Sequence, residues 1–218
     1  MKIEMKDIYK SFGKNDVLKG VDFTLNDGEI HALVGENGAG KTTIFNLISK
    51  LYTDYEGEIL INGKEIRNYK DEDLRNEVLF IESKPFILRE NLNPNITLFG
   101  KNEIDELFLD KIIRFLELEK IKTHKTKNLE DTLSKGEQQK IQLARLLISK
   151  QPLILLDEAL SGLDKEMKKK VISIIKERSK DKIIVIISHD HEIQKVCNEI
   201  ILMPDKNSLI KNKNIHKS

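Results

Sequence analysis

Residues 35–43 read GENGAGKTT, with Gly35, Glu36, Asn37, Gly38, Ala39 and Gly40 running into Lys41, Thr42 and Thr43. The spacing G-x-x-x-x-G-K-[ST] at Gly35, Gly40, Lys41 and Thr42 is that of a phosphate loop. Its glycines let backbone N–H groups turn inward around phosphate oxygens. A helix opening at its end adds partial positive charge. Lys41 reaches toward outer phosphates, and the Thr42 hydroxyl can ligate Mg²⁺. Further along, residues 153–158 read LILLDE. Asp157 is placed to hold Mg²⁺ or its water, and Glu158, one residue on, points elsewhere and can polarise an attacking water. A second apolar run, IIVII, ends in SHDH. Taken alone, His189 and His191 are equal candidates to meet a terminal phosphate or orient water. Residues 133–140, LSKGEQQK, hold no Cys and no His. They place Ser134, Lys135 and Gly136 at the mouth of an amphipathic run.

These residues need elements to position them. The phosphate loop follows an apolar strand, IHALV, and opens a helix, TTIFNLISKL, with Ile44, Phe45, Ile48 and Leu51 on one face. A chance glycine-rich turn lacks those flanks. LILL (153–156) and IIVII (183–187) are wholly apolar and separated by a predicted helix over about 165–178. Such runs mark a parallel sheet buried on both faces, and ligands gather at the carboxyl ends of its strands. The front of the chain alternates like antiparallel strands, punctuated by Gly13, Gly20 and Gly28. EGEILINGKEI reads as a hairpin turning at Asn62-Gly63. Helices are expected over about 104–119 and 135–149, with a polar loop over 122–130 between them. The tail from Asn207 is polar and expected to fray.

The bulk numbers set limits. A chain of 218 residues can bury a sizeable core. Lys+Arg of 37 against Asp+Glu of 36 leaves no chain-wide basic field for nucleic acid. The single cysteine, Cys197, excludes an intramolecular disulfide and a cysteine-built zinc site. MKIEMKDIYK lacks a signal-peptide core, and no apolar run approaches the roughly 20 residues of a membrane span.

The order phosphate loop, LSKGEQQ, LILLDE, SGLD, ISH resembles the nucleotide-binding domain of ATP-binding cassette (ABC) proteins over roughly residues 1–205. The resemblance implies a P-loop NTPase fold of α/β class. Its parts would be a mainly parallel core sheet, an N-terminal antiparallel β subdomain and a helical subdomain. The cofactors would be ATP and Mg²⁺. By the same resemblance, Phe12 stacks on adenine, Asp157 and Thr42 hold the metal, and Glu158 is the catalytic base. Ser161 to Asp164 form the loop that crosses a dimer interface, and His189 rather than His191 is the switch histidine. LSKGEQQ looks like the LSGGQ signature, whose Ser134 and Gly136 would face ATP held by a second, antiparallel copy. Three departures stand out. Glu82 occupies the position of a metal-touching Gln, Lys135 that of the first signature Gly, and Glu137 that of its Gln.

The resemblance leads to one ABC ATPase domain over 1–218. Its core would take 1–85 and 150–205, its helical part approximately 86–149, and its tail 206–218. The expected partners are a second ABC copy, as homodimer or heterodimer, and transmembrane permease subunits, with no nucleic acid. The expected place is cytoplasmic, on the inner face of the cell membrane. FILRENLNPNITLF resembles the permease-contacting region of ABC exporters, so export is the expected direction, and Met1 directly ahead of the first strand favours a natural start. The alternatives are a soluble ABC ATPase of translation or DNA repair, and a nucleotide switch with little hydrolysis.

Overall fold

The computed structural model describes residues 1–98, 104–122, 129, 132–204 and 213–216. In chain order the strands are β1 (Lys2–Phe12), β2 (Asn15–Asn26), β3 (Ile30–Val34), β4 (Glu56–Ile61), β5 (Lys64–Glu65), β6 (Val78–Ile81), β7 (Leu153–Asp157), β8 (Ile183–Ile187), β9 (Glu199–Leu202) and β10 (Lys213–His216). The helices are α1 (Lys41–Ile48), α2 (Asp71–Glu77), α3 (Leu92–Thr97), α4 (Glu106–Phe115), α5 (Glu119–Lys122), α6 (Lys135–Ile148), α7 (Lys165–Arg178) and α8 (His191–Val196). The chain divides into two compact units, Met1–Phe80 with Gln151–Ser218, and Ile81–Lys150. The helical segment expected over 86–149 falls within the second.

The first unit holds two sheets. One is antiparallel in the order β2-β1-β4-β5. β1 alternates buried and exposed positions because one face packs on the core. Asn62 (φ 50) and Gly63 (φ 78) form the two-residue turn that matches the twist of a hairpin. Gly20 does not separate strands as expected. It lies inside β2 with φ 70, where the β1 pairing shifts register between Ile8 and Tyr9, so it is a bulge residue.

The other sheet has the order β10-β9-β3-β8-β7-β6. β3, β7, β8 and β9 run parallel. Every residue of LILLD and IIVII is buried, as continuous apolar strands require. Their parallel register brings the end of β3, the end of β7 and the end of β8 to one edge.

The α1 stripe ends earlier than its spacing predicts. Ile44, Phe45 and Ile48 are fully buried, but the helix stops at Ile48 and Lys50 turns left-handed (φ 57). Leu51 is thereby carried off the face and is 59% exposed. The tail also differs from expectation. Lys213–His216 pairs antiparallel with β9 as an edge strand, and the rest of the tail beyond Pro204 lies outside the described residues.

In the second unit, the predicted helix over 104–119 is shorter. Asp105 caps α4 by accepting from the Leu107 N–H at 3.0 Å, and Glu117 (φ 55) separates α4 from α5. Of the predicted polar loop, Lys122 ends α5, while 123–128 and 130 lie outside the described residues. Asn95, fully buried, ties the segment around α3 together. Its Oδ1 accepts from the Leu88 N–H, and its Nδ2 donates to the carbonyls of Leu88, Glu90 and Asn91. Arg145 of α6 donates to the Asn95 carbonyl at 2.8 Å, and its burial pushes its pKa down to about 10.

Candidate functional site

The phosphate loop lies between β3 and α1. Gly38 and Gly40 take φ of 82° and 90°, a left-handed region that penalises other residues. A Cβ at Gly40 would also stand 2.5 Å from Leu18 Cδ2. Lys41 is buried and donates to the carbonyls of Gly35 (2.7 Å) and Glu36 (2.8 Å), so its ammonium is wrapped by the loop itself. Burial pushes its pKa down, while the Glu158 and Asp157 carboxylates pull it up.

Thr42, the second residue of α1, donates its hydroxyl to Asp157 Oδ2 at 2.8 Å. Asp157 ends β7 and is 4% exposed. Burial raises its pKa, against the lowering effect of the Thr42 hydrogen bond and Lys41. A hydroxyl and a carboxylate at this separation, beside a phosphate loop, are the hard oxygen donors that Mg²⁺ takes. The pair fits that ion.

Glu158 follows directly in left-handed conformation (φ 50), with its N–H donating to the Ile187 carbonyl at 3.0 Å. A non-glycine residue held there is strained, and such strain gathers at functional sites. Glu158 Oε1 is buried without a hydrogen-bond partner, 3.7 Å from His189 Nε2. Burial raises the Glu158 pKa, His189 lowers it, Asp157 raises it, and Lys41 lowers it. An underused carboxylate oxygen facing an imidazole is equipped to take a hydrogen bond from water.

His189 follows β8 and is exposed. Ser188 Oγ accepts from the Asp190 N–H, and Asp190 caps α8 and pairs with Lys168. His191 opens α8 instead. Asp164 caps α7, accepting from the N–H groups of Glu166 and Met167 at 2.9 Å each. Ser161 Oγ donates to the Glu158 carbonyl. Phe12 ends β1, 43% exposed, edge-on to Tyr52 at 5.4 Å.

The second unit carries the remaining expected residues. Ser134 caps α6 in a capping box with Glu137. The Ser134 N–H and hydroxyl donate to Glu137 Oε2 at 2.8 and 2.7 Å, and the Glu137 N–H donates to Ser134 Oγ at 3.3 Å. The S-x-x-E spacing of Ser134 and Glu137 is the sequence signal of this box. Lys135 and Gly136 are exposed in the first turn. Glu82 is exposed after β6, and its carbonyl accepts from Gln142 Nε2 at 3.1 Å.

Phosphate loop, strand-end carboxylates and strand-end histidine on adjacent parallel strands define a P-loop NTPase. The ABC transporter family model matches residues 18–161. The chain belongs to that family. It is 36% identical over 242 residues to the ribose import ATP-binding protein RbsA of Oceanobacillus iheyensis, covering 100% of this chain and 46% of that protein. It is 29% identical over 208 residues to an ATP-dependent lipid A-core flippase of Francisella tularensis, covering 92% and 34%. A bacterial Atm1-family ABC exporter with ATP bound has the same fold, with a TM-score of 0.85 at 23% identity over 97% of this chain and 38% of that one. The chain thus spans less than half the length of these relatives. Among the described residues, no helix is long and apolar enough to cross a membrane.

Proposed function

We propose that the chain is the ATP-hydrolysing part of a transporter, closing with a second ABC copy around two Mg-ATP and working on transmembrane permease partners from the cytoplasmic face. The observation that carries hydrolysis is the Glu158 carboxylate, with Oε1 buried, without a hydrogen-bond partner and 3.7 Å from His189. The relatives include an importer component and a flippase, so the proposal carries no direction of transport.

In this reading the loop N–H groups and Lys41 bind the outer phosphates. Thr42 and Asp157 would hold Mg²⁺, which supplies charge neutralisation on the phosphates when bound. Glu158 accepts a hydrogen bond from a water in line with the terminal phosphate and takes its proton as the water attacks, and His189 steadies that phosphate. Phe12 carries the base. The partner's Ser134 and Gly136 cover the phosphate from the other side, through a hydroxyl and backbone N–H groups at a helix start. Fixed dipoles and positioning do most of the work, since phosphoryl transfer needs little covalent help.

The test mixes two inactive variants, Lys41→Ala and Ser134→Arg, in equal amounts. Random pairing makes half the dimers mixed, each with one intact composite site, so about a quarter of wild-type turnover should return. If dimers form but turnover stays at the level of either variant alone, the shared site is rejected. If wild type itself turns over no ATP, with or without permease partners, the enzyme reading falls.

A further inference from the structure

Lys10 is oddly placed for a lysine. It lies in β1, 3% exposed, on the same strand as Phe12. Its Nζ stands 4.5 Å from the Phe12 ring centroid and 5.8 Å from that of Tyr52. Asp54 accepts from it at 2.6 Å, but the Asp54 side chain is 79% exposed. A lysine paired with a carboxylate in water has no need of burial, and an ammonium gives up hydration when it is buried. The aromatic rings replace part of that hydration through their negative faces.

The same corner adjoins the phosphate loop within the first unit. Lys10 pairs across the sheet with Leu18, and Leu18 Cδ2 is the atom that a Cβ on Gly40 would strike. Tyr52 is tied to the other end of α1, where its N–H donates to the Asn46 carbonyl at 3.2 Å. Phe12 therefore has its ring against the ammonium, Tyr52 in a T-shaped pair with it at 5.4 Å, and 43% of its surface open.

We propose that Lys10 is a positioning residue for the nucleobase: held against one face of Phe12, it fixes that ring and draws π-electron density toward itself, so that the other face receives an electron-rich purine. This rests on the reading of Phe12 as the base platform. A cation behind the ring makes the open face less negative and favours stacking of a broad, electron-rich partner. Purines gain more from this than pyrimidines because they offer more area. The corner thus biases the site toward purine triphosphates while making no hydrogen bond to the base.

The experiment measures affinity for ATP, CTP and inorganic tripolyphosphate by calorimetry in wild type and four variants. Phe12→Ala should weaken ATP about tenfold or more and leave tripolyphosphate unchanged, as loss of one stacked base would. Lys10→Met should weaken ATP about fivefold, CTP less, and tripolyphosphate not at all, while Lys10→Arg restores ATP binding. Asp54→Asn keeps the cation and should hold ATP within about twofold of wild type. An ATP affinity that survives Lys10→Met while Phe12→Ala loses it overturns the inference and leaves the platform standing. An equal loss for tripolyphosphate, or a loss in Asp54→Asn matching Lys10→Met, overturns it too, because the effect is then long-range charge or the ion pair. If Phe12→Ala leaves ATP binding intact, the platform reading itself fails.

Discussion

Gly40 and Gly136 both stand at helix starts, one in the phosphate loop and one in the segment proposed to cover a partner's phosphate, yet their surroundings differ sharply. Gly40 is demanded from within: its φ is 90°, and a Cβ there would meet Leu18 Cδ2 at 2.5 Å and Val17 Cγ1 at 3.1 Å. Gly136 is the second residue of α6, where no positive φ is required and, among the described residues, nothing lies within 4 Å of an added Cβ. Glycine in a helix costs up to about 1 kcal/mol relative to alanine. At Gly136 the structure holds no internal reason for glycine: the helix does not need it and no crowding is relieved. The phosphate loop is built to hold its own shape; the corner at Gly136 is open space.

Alanine at each position separates the two. Gly40→Ala should abolish ATP binding, with at least about a hundredfold loss by calorimetry, and lower Tm by several degrees, since strained backbone and a side-chain clash act together. Retained ATP binding would show that the loop tolerates another shape. Gly136→Ala should raise Tm by about 2 °C, since alanine is the better helix former. It should leave ATP affinity of the isolated chain unchanged and lower turnover about tenfold. A variant with full turnover would remove the argument that an outside group needs this backbone.

The contrast also marks what the sequence made legible. The phosphate loop, β7 and β8 are legible because each is one continuous run: motif spacing marks the first, and unbroken apolar sequence marks the two strands. Ser134 is legible through the resemblance of LSKGEQQ to the signature motif, and its capping partner Glu137 is equally legible from the S-x-x-E spacing. The corner around Phe12 was not, because Lys10, Phe12, Tyr52 and Asp54 converge from β1 and from the segment after α1. A lysine in an alternating strand carries no mark that it will be buried. The left-handed turn at Lys50 that drops Leu51 from the core, and the β10 pairing at Lys213–His216, depend on contacts that periodicity does not encode. Likewise the buried His31 and Glu199, 168 residues apart, meet at 2.9 Å only because β3 and β9 are neighbours.

The two glutamates of these regions carry the comparison to its smallest measurable effect. Glu137 is satisfied by the capping box it completes. Glu158 is held at φ 50 with a buried oxygen that lacks a hydrogen-bond partner, and burial raises its pKa against the lowering effect of His189. The sign follows from linkage: the folded carboxyl holds its proton more tightly than the unfolded one. Its contribution is therefore fully present below the unfolded value of about 4.3 and is lost as pH rises through the folded value. Glu158→Gln keeps the shape and does not titrate. Its Tm should match wild type near pH 4 and exceed it by about 2 °C at pH 7.5. Glu137→Ala should instead lower Tm by about 2 °C at pH 7.5, as loss of half a capping box does. A Glu158→Gln offset that stays constant from pH 4 to pH 7.5 would place its origin in packing rather than charge. The strand-end carboxylate would then not be the destabilised group that its buried oxygen and strained backbone describe.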